Sequence, residues 1–237
     1  MTGVSPRMVC SLVVAVAFGA WRVAASEPPD RRLDETVVWL GSSPGRLPSV
    51  YGSGFVVAFE GRLFLVSTAH GSGGVEVVRC PKGPLGRVVA FPVGECVSRW
   101  WTDSAADIAV AKLIDDSPLV DCATAIEIGV GRDGIDVFDE VRVPGYPLGA
   151  GATVGDPAWP TVVASRVCSI RGDGEFVLDF FAQKGQSGSP VLRTRSGKTS
   201  VAGVVRRVES VGGSGWTFAV GPGTLADCLR RAAEELK

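Results

Sequence analysis

Apolar residues in this chain gather into short β-branched runs separated by Gly, Pro and Asp. One series occupies 36–40, 54–59, 62–67, 75–79, 87–93 and 107–113, and a second occupies 137–143, 161–170, 175–181, 190–194, 201–208 and 216–220. Runs of this length, bounded by turn residues, predict β-strands rather than helices. The stretch around 115–134 between the two series carries few strand signals. The pattern therefore predicts an all-β fold of two six-stranded antiparallel β-barrels. One spans 36–115, an inter-barrel linker follows at 116–134, and the second barrel spans 135–223. About 210 residues beyond the N-terminal segment suffice for two cores of domain size.

Only the last residues, 224–237, carry a helical period and predict a short C-terminal helix. Thr224 can serve as its N-cap, and Leu225, Leu229, Ala232, Ala233 and Leu236 fall on one face. The first residues follow another plan: Arg7, an apolar run from Met8 to Ala20, then the small residues Val23-Ala24-Ala25. This pattern predicts a secretory signal peptide over 1–25, cleaved after Ala25 or Ser26. The run of about 13 residues falls short of the ~20 that a membrane-spanning helix requires. An uncleaved anchor or a buried helix is the competing reading. Export to the periplasm or the extracellular space is the expectation.

Composition narrows the partners. With 46% hydrophobic residues, 31 Gly and 15 Pro, the chain suits a turn-rich globular β protein. Lys plus Arg number 24 against 25 Asp plus Glu, a formal charge of −1, so no broad field draws the chain to nucleic acid or to an anionic membrane. Neither is expected as a partner once the leader is removed. Removal also takes Cys10 and leaves Cys80, Cys96, Cys122, Cys168 and Cys228. Export permits disulfides, and an odd number leaves at least one thiol free or paired between chains. Cys80 with Cys96 is the expected local pair. No CxxC motif or Cys/His cluster points to a metal.

The candidate chemistry lies in three short motifs. The single histidine, His70, ends Leu65-Val66-Ser67-Thr68-Ala69-His70; Asp107 opens Asp107-Ile108-Ala109-Val110; Ser187 sits in Gly185-Gln186-Ser187-Gly188-Ser189-Pro190. A neutral imidazole can take the proton of a serine hydroxyl as that oxygen attacks a carbonyl, then return it to the leaving group. A carboxylate on the other ring nitrogen sets the tautomer and stabilises the imidazolium. Asp107, His70 and Ser187 supply these three groups in the order His, Asp, Ser, with spacings of 37 and 80 residues. The glycines beside Ser187 let backbone N–H groups point at a developing oxyanion, and Gly185 with Ser187 are the expected donors. Each motif alone is ordinary; their joint occurrence in this order is specific. On the predicted framework His70 and Asp107 belong to the first barrel and Ser187 to the second, so the expected site is the cleft between them. Trp100 and Trp101, just before the Asp107 strand, are expected to cover a barrel end rather than touch substrate.

Taken together, Gly52-Ser53-Gly54-Phe55, Ser67-Thr68-Ala69-His70, Asp107-Ile108-Ala109-Val110, Gly145-Tyr146-Pro147-Leu148-Gly149 and Gly185-Gln186-Ser187-Gly188-Ser189-Pro190 resemble the bacterial trypsin-like serine peptidases of the chymotrypsin superfamily. The resemblance covers roughly 36–223. It is similar to the protease core of HtrA-type or glutamyl-endopeptidase-type enzymes, with no PDZ-like domain expected. It implies a chymotrypsin-like double barrel, hydrolysis of peptide bonds in a protein or peptide substrate through an acyl-enzyme, and no cofactor. The alternative function on the same fold is a catalytically silent double-barrel module that binds protein. A lipase or esterase is disfavoured, because those enzymes place the serine before the acid and the histidine.

The departures from the family also carry expectations. Gln186 stands where digestive members carry the Asp that pairs with a freed N-terminus, so activation by that ion pair is not expected. Phe181 stands where members cutting after Lys or Arg carry Asp, which disfavours tryptic specificity. Phe181, Lys184, Arg206 and Arg207 are the expected substrate-pocket residues, and the three cations favour an acidic substrate side chain unless they are solvated strand-edge charges. Ser189, where Gly is common, either changes little or narrows the cleft. The resemblance also suggests Cys122 with Cys228 as a second disulfide, because related chains pack the terminal helix near the linker.

Overall fold

The apolar runs form strands on both sides of the 115–134 stretch. The computed structural model describes residues 33–42, 50–82, 87–129, 134–147, 160–211 and 214–237; the expected signal peptide over 1–25 lies outside the described residues. The first half comprises β1 (Val37–Gly41), β2 (Val50–Phe59), β3 (Arg62–Ser67), the single turn of helix α1 (Ala69–Ser72), β4 (Val77–Lys82), β5 (Arg87–Pro92), β6 (Val97–Asp103), β7 (Ile108–Leu113) and the two-residue β8 (Ile126–Glu127). The second half comprises β9 (Glu140–Gly145), β10 (Thr161–Ile170), β11 (Glu175–Leu178), β12 (Pro190–Arg195), β13 (Lys198–Val211), β14 (Ser214–Val220) and helix α2 (Pro222–Glu235).

The second half is the expected closed six-stranded antiparallel barrel, in the order β10-β11-β14-β13-β12-β9 and back to β10. The first half differs from a six-stranded closed barrel. It is a curled eight-stranded sheet in the order β5-β4-β1-β2-β3-β7-β6, with β8 added parallel to β2. Its edge strands β5 and β6 are joined through a 3-10 turn at Val93–Glu95 rather than by a ladder. The two extra strands are those without an alternating pattern. A register shift between Val97 and Trp100 breaks the period of β6, and β8 is too short to have one.

The first sheet is buried on both faces, which is why its strands read as continuous apolar runs. Val56, Leu65 and Ala111 point into an inner core with Leu40, Val78, Leu119 and Cys122. Their neighbours Phe55, Val57, Phe64, Val66, Ile108 and Val110 point the other way, into a core shared with Leu192, Val201, Val204 and Val220 of the barrel and Leu225, Leu229 and Ala232 of α2. The barrel keeps its own interior around Val143, Val167, Phe176, Leu178 and Val191.

Helix α2 buries the face expected of it: Leu225, Leu229, Ala232, Ala233 and Leu236 are all buried. It starts three residues earlier than Thr224 as N-cap suggests. Pro222 occupies the first turn after Gly221, a position its fixed φ favours, and Thr224 lies inside the helix rather than capping it. Its last turn is tied to the first sheet, where Arg62 donates to the Ala233 carbonyl at 3.0 Å and Arg99 to the Glu235 carbonyl at 3.0 Å. Trp101 donates its indole N–H to Glu235 Oε1 at 2.9 Å beneath the Arg231 guanidinium, so this tryptophan covers the helix–sheet contact.

Neither expected disulfide forms, and among the described residues no disulfide links Cys80, Cys96, Cys122, Cys168 or Cys228. Cys122 packs in the inner core of the first sheet and Cys228 in the shared core under α2, which separates that pair. Cys80 and Cys96 pack in the inner core as small apolar side chains. Burial, with Glu95 and Cys122 nearby, pushes the Cys96 thiol up to about 12, which leaves it unreactive.

The shared core under α2 predicts a position-dependent stability loss. Leu229→Ala, fully buried there, is expected to lower unfolding free energy by about 2–5 kcal/mol. Arg230→Ala one residue on, which loses only an exposed pair with Asp227, should change it by less than about 0.5 kcal/mol. Urea titration of both variants checks the contrast.

Candidate active site

His70 and Asp107 meet because of strand register. β3 and β7 pair antiparallel with Ser67 opposite Ala109, so the residues just past the end of β3 face those just before the start of β7. The Ala69 N–H continues the ladder onto the Asp107 carbonyl at 3.1 Å. The His70 N–H then donates to Asp107 Oδ1 at 3.0 Å, and His70 Nδ1 lies 2.8 Å from Asp107 Oδ2. One carboxylate thus fixes both backbone and ring of the histidine. With Nδ1 committed, Nε2 is the nitrogen left to act as base. Asp107 adopts φ 56°, a left-handed conformation that Asp tolerates, at the end of a turn capped by Asp103 Oδ1, which accepts from the Ala105 and Ala106 N–H groups at 2.9 Å each.

Ser187 lies in the turn before β12, between two glycines with left-handed backbones, Gly185 at φ 97° and Gly188 at φ 84°. This loop is pinned to β2 of the other half. The Ser53 N–H donates to the Ser187 carbonyl at 2.8 Å, and Ser53 Oγ donates to the Gly185 carbonyl at 2.8 Å. Ser53 Oγ also accepts from the Tyr146 N–H at 3.1 Å, and Ser67 Oγ donates to the Ser53 carbonyl at 2.8 Å. The approach is so close that a Cβ on Gly188 would strike the Ser53 carbonyl and come within 2.5 Å of Ser67 Oγ, while one on Gly52 would lie 2.7 Å from the Ser187 carbonyl. Ser67 is three residues before His70, so the serine turn and the histidine turn share one hydrogen-bonded support. Among the described residues, the side-chain hydrogen bonds of His70 run to Asp107 alone, and the Ser187 hydroxyl has no partner.

Within the loop, the Gly188 N–H donates to the Val205 carbonyl at 2.8 Å and the Gln186 N–H to the Gln183 carbonyl at 3.0 Å. The N–H groups of Gly185 and Ser187 have no acceptor among the described residues, which leaves both available to a ligand oxygen. Gln186 is buried and its Oε1 accepts the Gln183 N–H at 2.7 Å, so it braces its own loop. Ser189 is fully buried, with its hydroxyl against Gly145, so it does not narrow the cleft.

The charges of the pair are interdependent. The hydrogen bond and charge of Asp107 raise the His70 pKa above its ordinary value, against burial and the charge of Arg206, which lower it. Burial pulls Asp107 upward, but bonds from the His70 ring and N–H, together with the His70 and Arg206 charges, hold its carboxyl below the usual range.

A cavity of about 220 Å³ opens beside Ser187, lined by Ala182, Gln183, Lys184, Val205, Arg207 and Val208. Lys184 and Arg207 therefore stand where the pocket was expected; Phe181 and Arg206 are not among its lining residues. Phe181 is half exposed, with its ring against Gly215. The Arg207 charge is already matched, 2.5 Å from Glu175 and 2.8 Å from Glu209, with its guanidinium 4.3 Å over the Phe218 ring. Arg206 turns away from the cavity toward Asp107. The expected cluster of three pocket cations is thus reduced to Lys184, which has no carboxylate partner among the described residues.

Sequence reasoning did not single out Ser53, whose hydroxyl joins the two halves, or Ser67, whose hydroxyl supports the Ser53 carbonyl. Their only signal was position, within the Gly52-Ser53-Gly54 motif and three residues before His70. No protein-family model and no curated protein matches this chain.

Gly188→Ala is expected to cost about 1–3 kcal/mol from the forced left-handed backbone alone, and more from the blocked approach to Ser53. Gly73→Ala, at φ −68° with open space around its Cβ, should be close to neutral. Thermal unfolding of the two variants checks this. Asp107→Asn should drop the His70 titration midpoint, because removal of the carboxylate charge and its ionic bond disfavours the imidazolium; proton NMR of the single histidine reads it.

Proposed function

We propose that this chain is an exported serine endopeptidase of the chymotrypsin-like class, with Ser187 as nucleophile, His70 as general base and Asp107 as the carboxylate that orients it. The observation that carries the reading is the double grip of Asp107 on His70. It commits Nδ1 and leaves Nε2 as the basic nitrogen, on a support shared with the loop that presents Ser187. The curled half-barrel and closed barrel are compatible with the double-barrel architecture of that class.

In the proposed reaction His70 Nε2 takes the Ser187 proton as Oγ attacks the scissile carbonyl, and the tetrahedral oxyanion accepts hydrogen bonds from the Gly185 and Ser187 N–H groups. His70 then delivers the proton to the leaving amine, and water repeats the sequence on the acyl-enzyme. Asp107 stays ionised and stabilises the transient imidazolium. The substrate side chain at the cut enters the 220 Å³ cavity. Lys184 and Arg207 on its wall disfavour Lys or Arg there. No cofactor takes part in these steps.

The test is covalent labelling of the purified full chain by a fluorophosphonate, read by intact mass. One adduct is expected, lost in both Ser187→Ala and His70→Ala, and peptide hydrolysis should fall by at least ~10⁴-fold in each. Absence of an adduct on the folded protein would overturn the reading in favour of a silent binding module. Activity should rise with pH as His70 loses its proton, because only the neutral ring accepts one. That rise is expected above the ordinary histidine midpoint, since the Asp107 bond raises the folded pKa.

A further inference from the structure

Arg206, on β13 of the closed barrel, reaches across to the turn of the first sheet that ends in Asp107. Its Nε lies 3.9 Å from Asp107 Oδ2, and its Nη2 donates to the Ala105 carbonyl at 3.0 Å. Its Nη1 lies 3.5 Å from Glu175 Oε1. One guanidinium therefore touches the carboxylate and the turn that carries it in the first sheet, and an anchor in its own barrel. The anchor is firm. The Glu175 side chain is only 6% exposed and also binds Arg171 at 3.1 Å and Arg207 at 2.5 Å. Arg206 is itself mostly buried, with 27% of its side chain exposed. Asp107 is left-handed, a conformation that persists only where neighbours hold it, and its turn is gripped from one side by Asp103 and from the other by Arg206.

We infer that Arg206 is a positioning residue for the His70–Asp107 pair: it holds the Asp107 turn in the orientation that receives His70, and its charge offsets part of the carboxylate's pull on the imidazole. The catalytic consequence rests on the serine-peptidase reading; the geometric role does not. The Coulomb effect of a cation this close to a half-buried carboxylate is appreciable, because screening by water is reduced there. The other charged groups around Arg206 are Asp103, Asp173, Asp227 and Arg231, which line with it a cavity of about 320 Å³ behind the pair. The groups that act on His70 are Asp107, which favours the imidazolium, and Arg206, which opposes it.

His70 is the chain's single histidine, so its ring protons titrate alone in an NMR spectrum. The experiment follows that titration in the full chain and in Arg206→Gln, Arg206→Lys and, as a control at a remote arginine, Arg99→Gln. In Arg206→Gln the midpoint is expected at higher pH than in the parent, and kcat should fall roughly tenfold with KM little changed. Arg206→Lys keeps the charge and should restore most of the midpoint. It loses the forked grip, so the low-field proton on His70 Nδ1, protected by Asp107, should broaden. Arg99→Gln should move neither. A purely structural Arg206 would lower thermal stability without shifting the midpoint. A folded Arg206→Gln with both the parent's midpoint and an unbroadened Nδ1 proton overturns the inference, and so does an unbroadened Nδ1 proton in Arg206→Lys if the Gln variant fails to fold. A shifted midpoint in a protein that takes no fluorophosphonate would keep the positioning role and remove the peptidase reading; labelling with neither shift nor broadening would do the reverse.

Discussion

Everything at the candidate site depends on how closely β2 lies against the Gly185–Ser189 loop. The first sheet carries His70 and Asp107, the barrel carries Ser187, and the two halves are brought into register where Ser53 exchanges backbone and hydroxyl bonds with Gly185, Ser187 and Tyr146. Such contact is open only to glycine at its closest points, since a Cβ at residue 52 or 188 would occupy space already filled by carbonyl oxygens. The inter-half bonds are buried, so each would leave an unsatisfied polar group if broken, which makes the relative placement of the halves steep in energy rather than loose.

A second organising element is the buried carboxylate of Glu175. A charge taken out of water requires partners, and Glu175 recruits Arg171, Arg206 and Arg207. The consequences reach in two directions. Arg206 is aimed at the Asp107 turn, and Arg207 is held against the wall of the cavity beside Ser187 with its charge already answered. Charges that a sequence presents as a cationic patch are thereby turned into internal structure. Only Lys184 among the expected pocket cations is left to meet a ligand's charge.

Much of this architecture could be read from the pattern of apolar residues, and the exceptions have definite causes. β3 and β10 fall on their expected spans because hydrophobic runs there end at turn residues. β6 was invisible because a bulge between Val97 and Trp100 disrupts its alternation, and β8 because two residues make no pattern. The meeting of His70 with Asp107 was legible as a motif pair and follows from the register of β3 on β7. The roles of Ser53, Ser67 and Glu175 were not, since each acts through a partner at least 14 residues away in the chain that no local pattern reveals. The disulfide expectation failed because cysteine count records neither distance nor burial, and these thiols are spent as packing groups.

The core that Phe55, Phe64 and Ile108 share with Val204, Val220, Leu225 and Leu229 makes the division into two halves a matter of topology rather than of thermodynamics. A sheet buried on both faces has no solvent-ready surface to fall back on, so it cannot part from the barrel and helix without exposing apolar area that only joint folding conceals. Such a molecule melts as one cooperative unit, and a fragment cut between its halves would carry an uncovered hydrophobic face into solution.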